Sequence, residues 1–257
     1  MKYLKYLLLC FFLMVNYNCS DDKSDIDFEN GINTTSNKKA TGSSAKDFLS
    51  SDKYQSLVIE VSYVENYRPN GQTLLNLKQF LDHRIYKPNG ITIIEKQIPA
   101  PTNSPYSIEE IVAIENANRT KYNNTGILTV HLLFINGNFE TDTNSSKTLG
   151  TAYYNTSAVL FEETIQDLSD QITEPSRVNL ETTVLIHEFC HLLGLVNLGS
   201  PMQNNHLDIE HDKHCNNESC LMYWKADNNT ALQMLPNGNI PQLDANCILD
   251  LQANGGK

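Results

Sequence analysis

The chain has 257 residues, with 30 acidic and 19 basic side chains and a formal net charge of −11. An excess of acid argues against nucleic acid and against anionic lipid as partners, because both would be repelled. Hydrophobic residues make up 40% of the chain, which is enough for one domain of ordinary size with a buried core.

The first 18 residues predict a secretory signal. Lys2 and Lys5 precede an apolar run from Leu7 to Val15 that is too short to cross a bilayer as a helix. The segment ends at Cys19, which resembles the signal of bacterial lipoproteins, in which the cysteine is lipidated. We therefore expect a signal peptide at residues 1–18, lipidation of Cys19 and attachment to a membrane through lipid. The alternative is an ordinary cleaved signal with an incidental cysteine.

The sequence after Cys19 predicts a tether followed by one domain. The pair Asp21-Asp22 resembles the surface-export tag of Bacteroidetes lipoproteins, so we expect an outer-membrane or cell-surface protein whose domain lies outside the cytoplasm. Residues 19–46 are mostly polar and predict a flexible tether. Residues 47–257 would form the domain, with an N-terminal subdomain to about residue 194 and a C-terminal subdomain after it.

The elements predicted in chain order alternate between strands and helices. Strands are predicted at Ser56–Val64, Ile91–Ile98, Ile127–Ile135, Thr148–Tyr154 and Ala158–Phe161, and helices at Thr73–Tyr86, at Ser107–Tyr122 and from Pro175 onward. The strand at Ile127–Ile135 is almost continuously apolar, which is typical of a central strand covered on both faces. This order predicts a mixed α/β (α+β) fold that becomes irregular after Gly194 and regains regular structure only near the C-terminus.

The most informative motif lies at the end of the last predicted helix. His187 and His191 are four residues apart, so both imidazoles lie on one helix face and can reach a single metal ion. Glu188 follows the first histidine, where it can take a proton from water activated by the metal. Gly194 permits the left-handed turn that ends the helix. Five of the 7 histidines of the chain lie between His187 and His214.

The stretch His187–Gly194 resembles the HExxHxxGxxH/D motif of the metzincin clan of zinc metallopeptidases. The resemblance implies a mixed sheet, an active-site helix, one catalytic Zn²⁺ and an irregular C-terminal subdomain with a methionine turn. The position of the third metal ligand holds Asn197, whose neutral amide is a poor zinc ligand.

A second resemblance places the third ligand elsewhere. His214-Cys215, Cys220 and Met222 are similar to the HCxxxxCxM segment of archaemetzincins, displaced here by a seventeen-residue insertion from Asn197 to His214. The resemblance implies His214 as the third ligand, Met222 as the residue of the methionine turn, and a monomer that takes protein or peptide substrates. The alternatives that remain are His206 and His211, then Asn197, and the surplus histidines could belong to loops or to a second cation site.

The strand Leu149–Tyr153 resembles the LxxA edge strand with which metzincins bind the substrate main chain. The resemblance implies that Gly150, Thr151 and Ala152 bind substrate through backbone hydrogen bonds.

Four cysteines remain after Cys10 and Cys19 are set aside. Outside the cytoplasm an even number suggests disulfides, and we expect Cys215 to pair with Cys220 and Cys190 with Cys247. Archaemetzincins hold a second, structural zinc with an additional CxxC, whereas this chain has only Cys247 in that region. The sequence therefore predicts disulfides rather than a second zinc.

The sequence as a whole predicts a zinc-dependent endopeptidase. His187, His191 and His214 would bind Zn²⁺, and Glu188 would be the general base. Two alternatives are a zinc hydrolase that acts on a non-peptide bond and an inactive, metzincin-like binding lipoprotein. Zinc content without peptide cleavage would indicate the first, and the presence of Glu188 argues against the second.

Overall fold

The computed structural model describes residues 28–29, 32–102, 104–171, 174–235 and 238–257. The predicted signal peptide and Cys19 lie outside these residues. Within the described ranges, no helix is both long enough and apolar enough to cross a membrane.

The structure alternates strands and helices in the order that the sequence predicts. The strands are β1 (Phe28–Glu29), β2 (Ile32–Asn33), β3 (Tyr54–Val64), β4 (Ile91–Ile98), β5 (Gly126–Ile135), β6 (Gly150–Tyr154) and β7 (Ser157–Phe161). The helices are α1 (Ala45–Leu49), α2 (Gly71–Asp82), α3 (Ile108–Asn118), α4 (Glu162–Asp167), α5 (Arg177–Leu192) and α6 (Ala245–Ala253). Short 3₁₀ helices lie at Thr35–Asn37, Trp224–Asp227 and Asn229–Met234.

The main sheet has five strands in the order β4-β3-β5-β7-β6. The first four run parallel, and β6 is antiparallel to β7 at one edge. The central position of β5 agrees with its continuous apolar sequence, since both of its faces are covered. The predicted mixed α/β fold is therefore confirmed, and its antiparallel strand β6 lies at one edge of the sheet.

Two apolar clusters cover the two faces of the sheet. Strand β7 shows the division, because Ala158 and Leu160 belong to the larger cluster, whereas Val159 and Phe161 belong to the smaller one. Helices α2 and α5 pack on the larger cluster, and Ile111 of α3 contributes to the smaller one. The alternation of side chains along a strand thus places α5 on one face of the sheet.

Two predicted helices end earlier than expected. Helix α3 begins with the predicted capping box of Ser107 and Glu110, but it stops at Asn118 because the backbone of Arg119 is extended. The guanidinium of Arg119 is buried and donates to Glu115 at 2.6 Å. Helix α2 ends at Asp82, four residues before the predicted end. Arg119 also donates to Ser157 Oγ on β7 at 3.2 Å, a tertiary contact that the sequence around α3 does not contain.

The structure corrects the predicted tether. The segment packs on the domain from Thr34 onward, and Asn37 is fully buried. The amide of Asn37 donates to Thr129 O and to Thr156 Oγ1. Helix α1, which the sequence analysis did not predict, crosses the proposed boundary at residue 46 and buries Phe48 completely. Polar composition suggested flexibility, but these polar groups find hydrogen-bond partners on the domain.

Candidate metal centre and active-site cleft

Helix α5 carries His187 and His191 into the interior. The helix begins after Ser176, whose side chain accepts a hydrogen bond from Asn179 N. Its last turn ends at Gly194, which has φ +76°. A Cβ on Gly194 would lie 2.6 Å from Ser200 N, so only glycine fits this turn.

The chain returns after Gly194 and brings His214 to the two helix histidines. The ring centroids of His187 and His191 are 4.7 Å apart, and each lies 5.3 Å from the centroid of His214. One nitrogen from each ring lies within 4.8 Å of the others. The three imidazoles that the sequence predicts as ligands therefore converge on one point.

The orientation of the rings suits a metal ion. His187 Nδ1 donates to Leu221 O at 2.8 Å, so the lone pair of this ring is on Nε2. His187 Nε2 lies 3.1 Å from His191 Nε2, close to the separation of about 3.3 Å between two nitrogens in a tetrahedral zinc site. Burial lowers the pKa of His187 to about 4 and lowers the pKa of His191 well below its ordinary value. Both rings are therefore neutral, the form that binds metal, and the donor set fits Zn²⁺.

Glu188 lies beside this cluster and is fully buried. Its carboxylate accepts a hydrogen bond from Ala152 N, whereas its Oε1 atom has no partner among the described residues. Burial, followed by the nearby charge of Asp227, raises the pKa of Glu188 well above its ordinary value. A cation held by the three imidazoles would oppose both effects and favour the carboxylate.

Asp227 is a residue of this site that the sequence did not predict. This residue ends the 3₁₀ helix Trp224–Asp227, and its carboxylate lies 3.5 Å from His214 Nε2. Burial acts to raise the pKa of Asp227, but the neighbouring His214 and His187 lower it overall. Its main-chain oxygen accepts from Leu149 N at 2.7 Å, which ties this segment to the start of β6. An acidic residue soon after the predicted methionine turn was the available signal.

The predicted substrate-binding residues lie on the edge strand β6. Thr151 and Ala152 line a cavity of about 160 Å³, together with Glu188, His191 and the residues Thr41, Leu198, Lys213, His214 and Asp227. Leu149 O accepts from Phe161 N, so in the alternating ladder the main-chain groups of Gly150 and Ala152 point away from β7. Gly150 is buried and does not line the cavity.

Met222 lies where the resemblance predicts a methionine turn. Its side chain is fully buried, and its main-chain oxygen accepts from Cys215 N at 2.7 Å. The preceding residue, Leu221, accepts from His187. The segment is therefore bonded to His187 and to Cys215, the residue after His214, although it forms no part of the ligand set.

The alternative third ligands lie elsewhere. Asn197 is exposed and has φ +66°. His211 stacks on Trp224 with ring centroids 4.2 Å apart and bonds Asp208 at 2.9 Å. His206 bonds Asp250, as described below. Only His214 among the four candidates joins His187 and His191.

The structure does not contain the predicted disulfides. Cys190, Cys215, Cys220 and Cys247 are all free and buried. Cys190 lies within α5, and the other three cluster around His206. Cys220 Sγ lies 3.6 Å from Cys247 Sγ, and His206 Nδ1 lies 3.3 Å from Cys215 Sγ and 3.9 Å from Cys247 Sγ.

This cluster fits a second zinc ion, contrary to the sequence prediction. Thiolates of a tetrahedral zinc site are separated by about 3.8 Å, close to the observed distances. His206 Nε2 donates to Asp250 at 2.8 Å, which leaves the Nδ1 lone pair directed at the sulfurs. Hydrogen bonds from Cys215 and Cys247 lower the pKa of Cys220 to about 4, so one thiolate is already favoured.

Asp244 also belongs to this cluster, since the ligand atoms of His206, Cys215, Asp244 and Cys247 lie within 4.8 Å of one another. Its Oδ1 atom caps α6 by accepting from Cys247 N at 2.9 Å, and Oδ2 accepts from Asn217 and, at 3.4 Å, from Cys215 Sγ. The fourth ligand would be Asp244 or Cys220. The prediction of no second zinc rested on the missing cysteine of a CxxC pair, whereas the chain supplies a histidine from the insertion, His206, to this cluster.

Comparison with known proteins shows similarity at the level of structure. No protein family model and no curated protein matches the chain. The structure is similar to the crystal structure of archaemetzincin from Methanopyrus kandleri, with 14% sequence identity and a TM-score of 0.48 over 78% of this chain and 95% of that chain. A similarity of this size does not establish an activity for this chain.

Proposed function

We propose that the protein is a zinc-dependent hydrolase that cleaves peptide bonds. His187, His191 and His214 would hold the ion, and Glu188 would act as general base. The observation that supports this most directly is the convergence of three imidazoles, two of them deeply buried and neutral, beside a buried carboxylate. These groups lie beside the edge strand β6, and an extended peptide would bind along such a strand.

The chemistry divides between the ion and the chain. Bound zinc supplies a Lewis acid that polarises the carbonyl and acidifies water. Glu188 accepts the proton of the attacking water and delivers it to the leaving amine. Ala152 N–H holds the Glu188 carboxylate, and Leu221 O fixes the ring of His187. The main chain of Gly150, Thr151 and Ala152 would bind the substrate backbone.

Cleavage of a diverse peptide pool tests this function. The full chain, purified in detergent and loaded with zinc, should generate new peptide termini that mass spectrometry identifies. Glu188→Gln, which keeps the shape but removes the base, should lower the rate by about 100-fold or more. Glu109→Gln is a matched control, because Glu109 is exposed on α3, and it should cleave like the parent.

Two results would contradict the proposal. Parental cleavage rates in Glu188→Gln would remove Glu188 from the mechanism. A zinc-loaded parent that cuts no peptide would leave a non-peptide hydrolase or a binding protein as the function.

The cellular location is also a proposal. Attachment through a lipid on Cys19 would place the cleft outside the cytoplasm, at the outer membrane or the cell surface. Cys19→Ser should move the protein from the membrane fraction to the soluble fraction, as judged by fractionation. Unchanged membrane association would contradict lipidation at this residue.

A further inference from the structure

A basic residue, Lys213, lines the cavity beside the candidate metal centre, and neither the proposed ligand set nor the proposed general base includes it. Lys213 directly precedes His214, and it shares the cavity of about 160 Å³ with Glu188, His191 and Asp227. Among the described residues that line this cavity, it is the one lysine or arginine. A charged side chain of a substrate bound there would therefore lie close to the ammonium group of Lys213.

The backbone of Lys213 is held beside the third imidazole. Its φ is +68°, in the left-handed region that a lysine seldom adopts. The next residue fixes this part of the loop, because His214 O accepts from Asp208 N at 2.8 Å and His214 N donates to His211 O at 3.2 Å. An unfavourable backbone conformation persists only where surrounding contacts determine it. The side chain of Lys213 therefore begins at a fixed place next to the cavity.

The ammonium group of Lys213 has no acidic partner in the part of the chain that the structure describes. Two acids near it are bonded to histidines instead. Asp208 bonds His211 at 2.9 Å, and Asp227 lies 3.5 Å from His214 Nε2. The two other acids of this loop are exposed and form no ion pair with Lys213, namely Glu210 and Asp212. The cation is therefore available to a ligand.

The charges in the cavity favour an acidic ligand. Glu188 accepts a hydrogen bond from Ala152 N, and Asp227 faces His214. These two carboxylates would balance the charge of a Zn²⁺ ion held by neutral imidazoles. The ammonium group of Lys213 then remains without a counter-charge, and a carboxylate of the substrate can supply one.

The overall charge of the molecule acts in the opposite direction. The formal net charge of −11 repels acidic peptides and attracts basic ones. A preference for an acidic residue at this site would therefore arise from a local cation and not from the field of the whole protein. Lys213 is the lysine placed to provide it.

We propose that Lys213 is a specificity-determining residue that selects peptides with an acidic side chain, Asp or Glu, beside the scissile bond. The inference rests on the proposed peptide hydrolysis, because it concerns the substrate of the same site. Lys213 would donate a charge-assisted hydrogen bond to the substrate carboxylate. The carboxyl end of a peptide has the same chemistry, so the test separates the two sources.

Three uncharged peptide frameworks test the proposal. Two of them have both ends blocked and carry either Glu or Gln at one position, which is moved along both sides of the cleaved bond. The third carries Gln and has a free carboxyl end. For the zinc-loaded full chain, kcat/KM of the best Glu peptide should exceed that of its Gln partner by about 10-fold, the effect of one hydrogen bond to a charged group. The ratio should fall as the salt concentration rises, because salt screens an exposed charge.

Substitutions of Lys213 identify the group that is responsible. Lys213→Met keeps a long unbranched side chain without the charge, and its Glu-to-Gln ratio should fall to about 1 or below. Lys213→Arg keeps the cation and should retain a preference for Glu. Lys121→Met is the control, because Lys121 is exposed and does not line the cavity, and it should show the parental ratio. Zinc analysis of each variant shows whether the neighbouring ligand His214 is intact.

Binding without turnover distinguishes this inference from the proposed hydrolysis. Zinc-loaded Glu188→Gln should bind the blocked Glu peptide about 10-fold more tightly than the Gln peptide in calorimetry. Adding Lys213→Met to this variant should make the two affinities equal. This measurement does not depend on cleavage.

The outcomes separate the two proposals. Equal kcat/KM for Glu and Gln at every position, or a preference that persists in Lys213→Met, overturns the role of Lys213 and leaves peptide hydrolysis intact. Faster cleavage of the peptide with the free carboxyl end, without a preference for Glu, assigns Lys213 to a chain end and overturns the inference. Selective binding of the Glu peptide without cleavage by the parent overturns the proposed hydrolysis and supports the acidic subsite. Neither cleavage nor selective binding overturns both.

Discussion

Gly150 separates the edge strand from the helix that carries Glu188. A methyl group at this position would lie 2.8 Å from Glu188 Cγ and from Val184 Cγ1, and 3.2 Å from Glu188 Oε1. Carbon atoms in contact prefer about 3.5–4.0 Å, so Gly150→Ala must move β6 away from α5 by roughly 1 Å. The substitution therefore perturbs the general base without touching any metal ligand.

The size of the effect follows from this displacement. Overpacking of a buried contact costs about 1–3 kcal/mol, and each kcal/mol lowers Tm by about 2–4 °C for a chain of this length. A catalytic group misplaced by about 1 Å can lose about 100-fold in rate. We expect kcat/KM of Gly150→Ala to fall by about 10- to 100-fold, with zinc content unchanged.

Thermal unfolding, zinc content and peptide cleavage measure these effects. Gly71→Ala is the matched control, because no atom lies within 4 Å of the added methyl group at the start of α2. Its activity should be unchanged, and its stability should be equal or higher by about 0.4–1 kcal/mol. Parental Tm and kcat/KM in Gly150→Ala would refute the reasoning that this contact positions Glu188.

Three further predictions concern the interior and the cysteine cluster. Arg119→Met should lower the free energy of unfolding, measured with urea, by about 3–5 kcal/mol, because it leaves the buried carboxylate of Glu115 without its ion-pair partner. Arg68→Met, which removes an exposed ion pair, should show no comparable loss. Burial lowers the pKa of His131 to about 4 in the folded state. Between about pH 6.5 and pH 4, His131 is therefore protonated in the unfolded chain but neutral in the folded protein. The free energy of unfolding should fall as the pH falls from about 6.5 to 4, and a His131→Gln variant with the parental slope would contradict this. His206→Ala should bind about one equivalent of zinc less than the parent and lower Tm, as measured by metal analysis and calorimetry; unchanged zinc content would exclude the second site.

The features predicted correctly from the sequence are those that depend on local periodicity. The spacing of His187 and His191 places both rings on one face wherever that helix lies. The continuous apolar run of β5 indicates a central strand, and the Ser107–Glu110 capping box marks a helix start that the structure confirms. In each case neighbouring residues contain all the required information.

Tertiary structure decided everything that depends on irregular segments. The insertion after Gly194 has no periodicity, so residue spacing could not choose among its histidines. The resemblance to archaemetzincins implied His214, and the folded chain brings His214 to the helix histidines and His206 to Cys215 and Cys247. The C-terminal part of the predicted tether packs on the domain, because Asn155, which is distant in sequence, forms hydrogen bonds with Ser36 and Lys39. Local sequence determined which chemical groups are present and which elements carry them. Long-range hydrogen bonds and backbone contacts determined which groups meet, because their partners lie far apart along the chain.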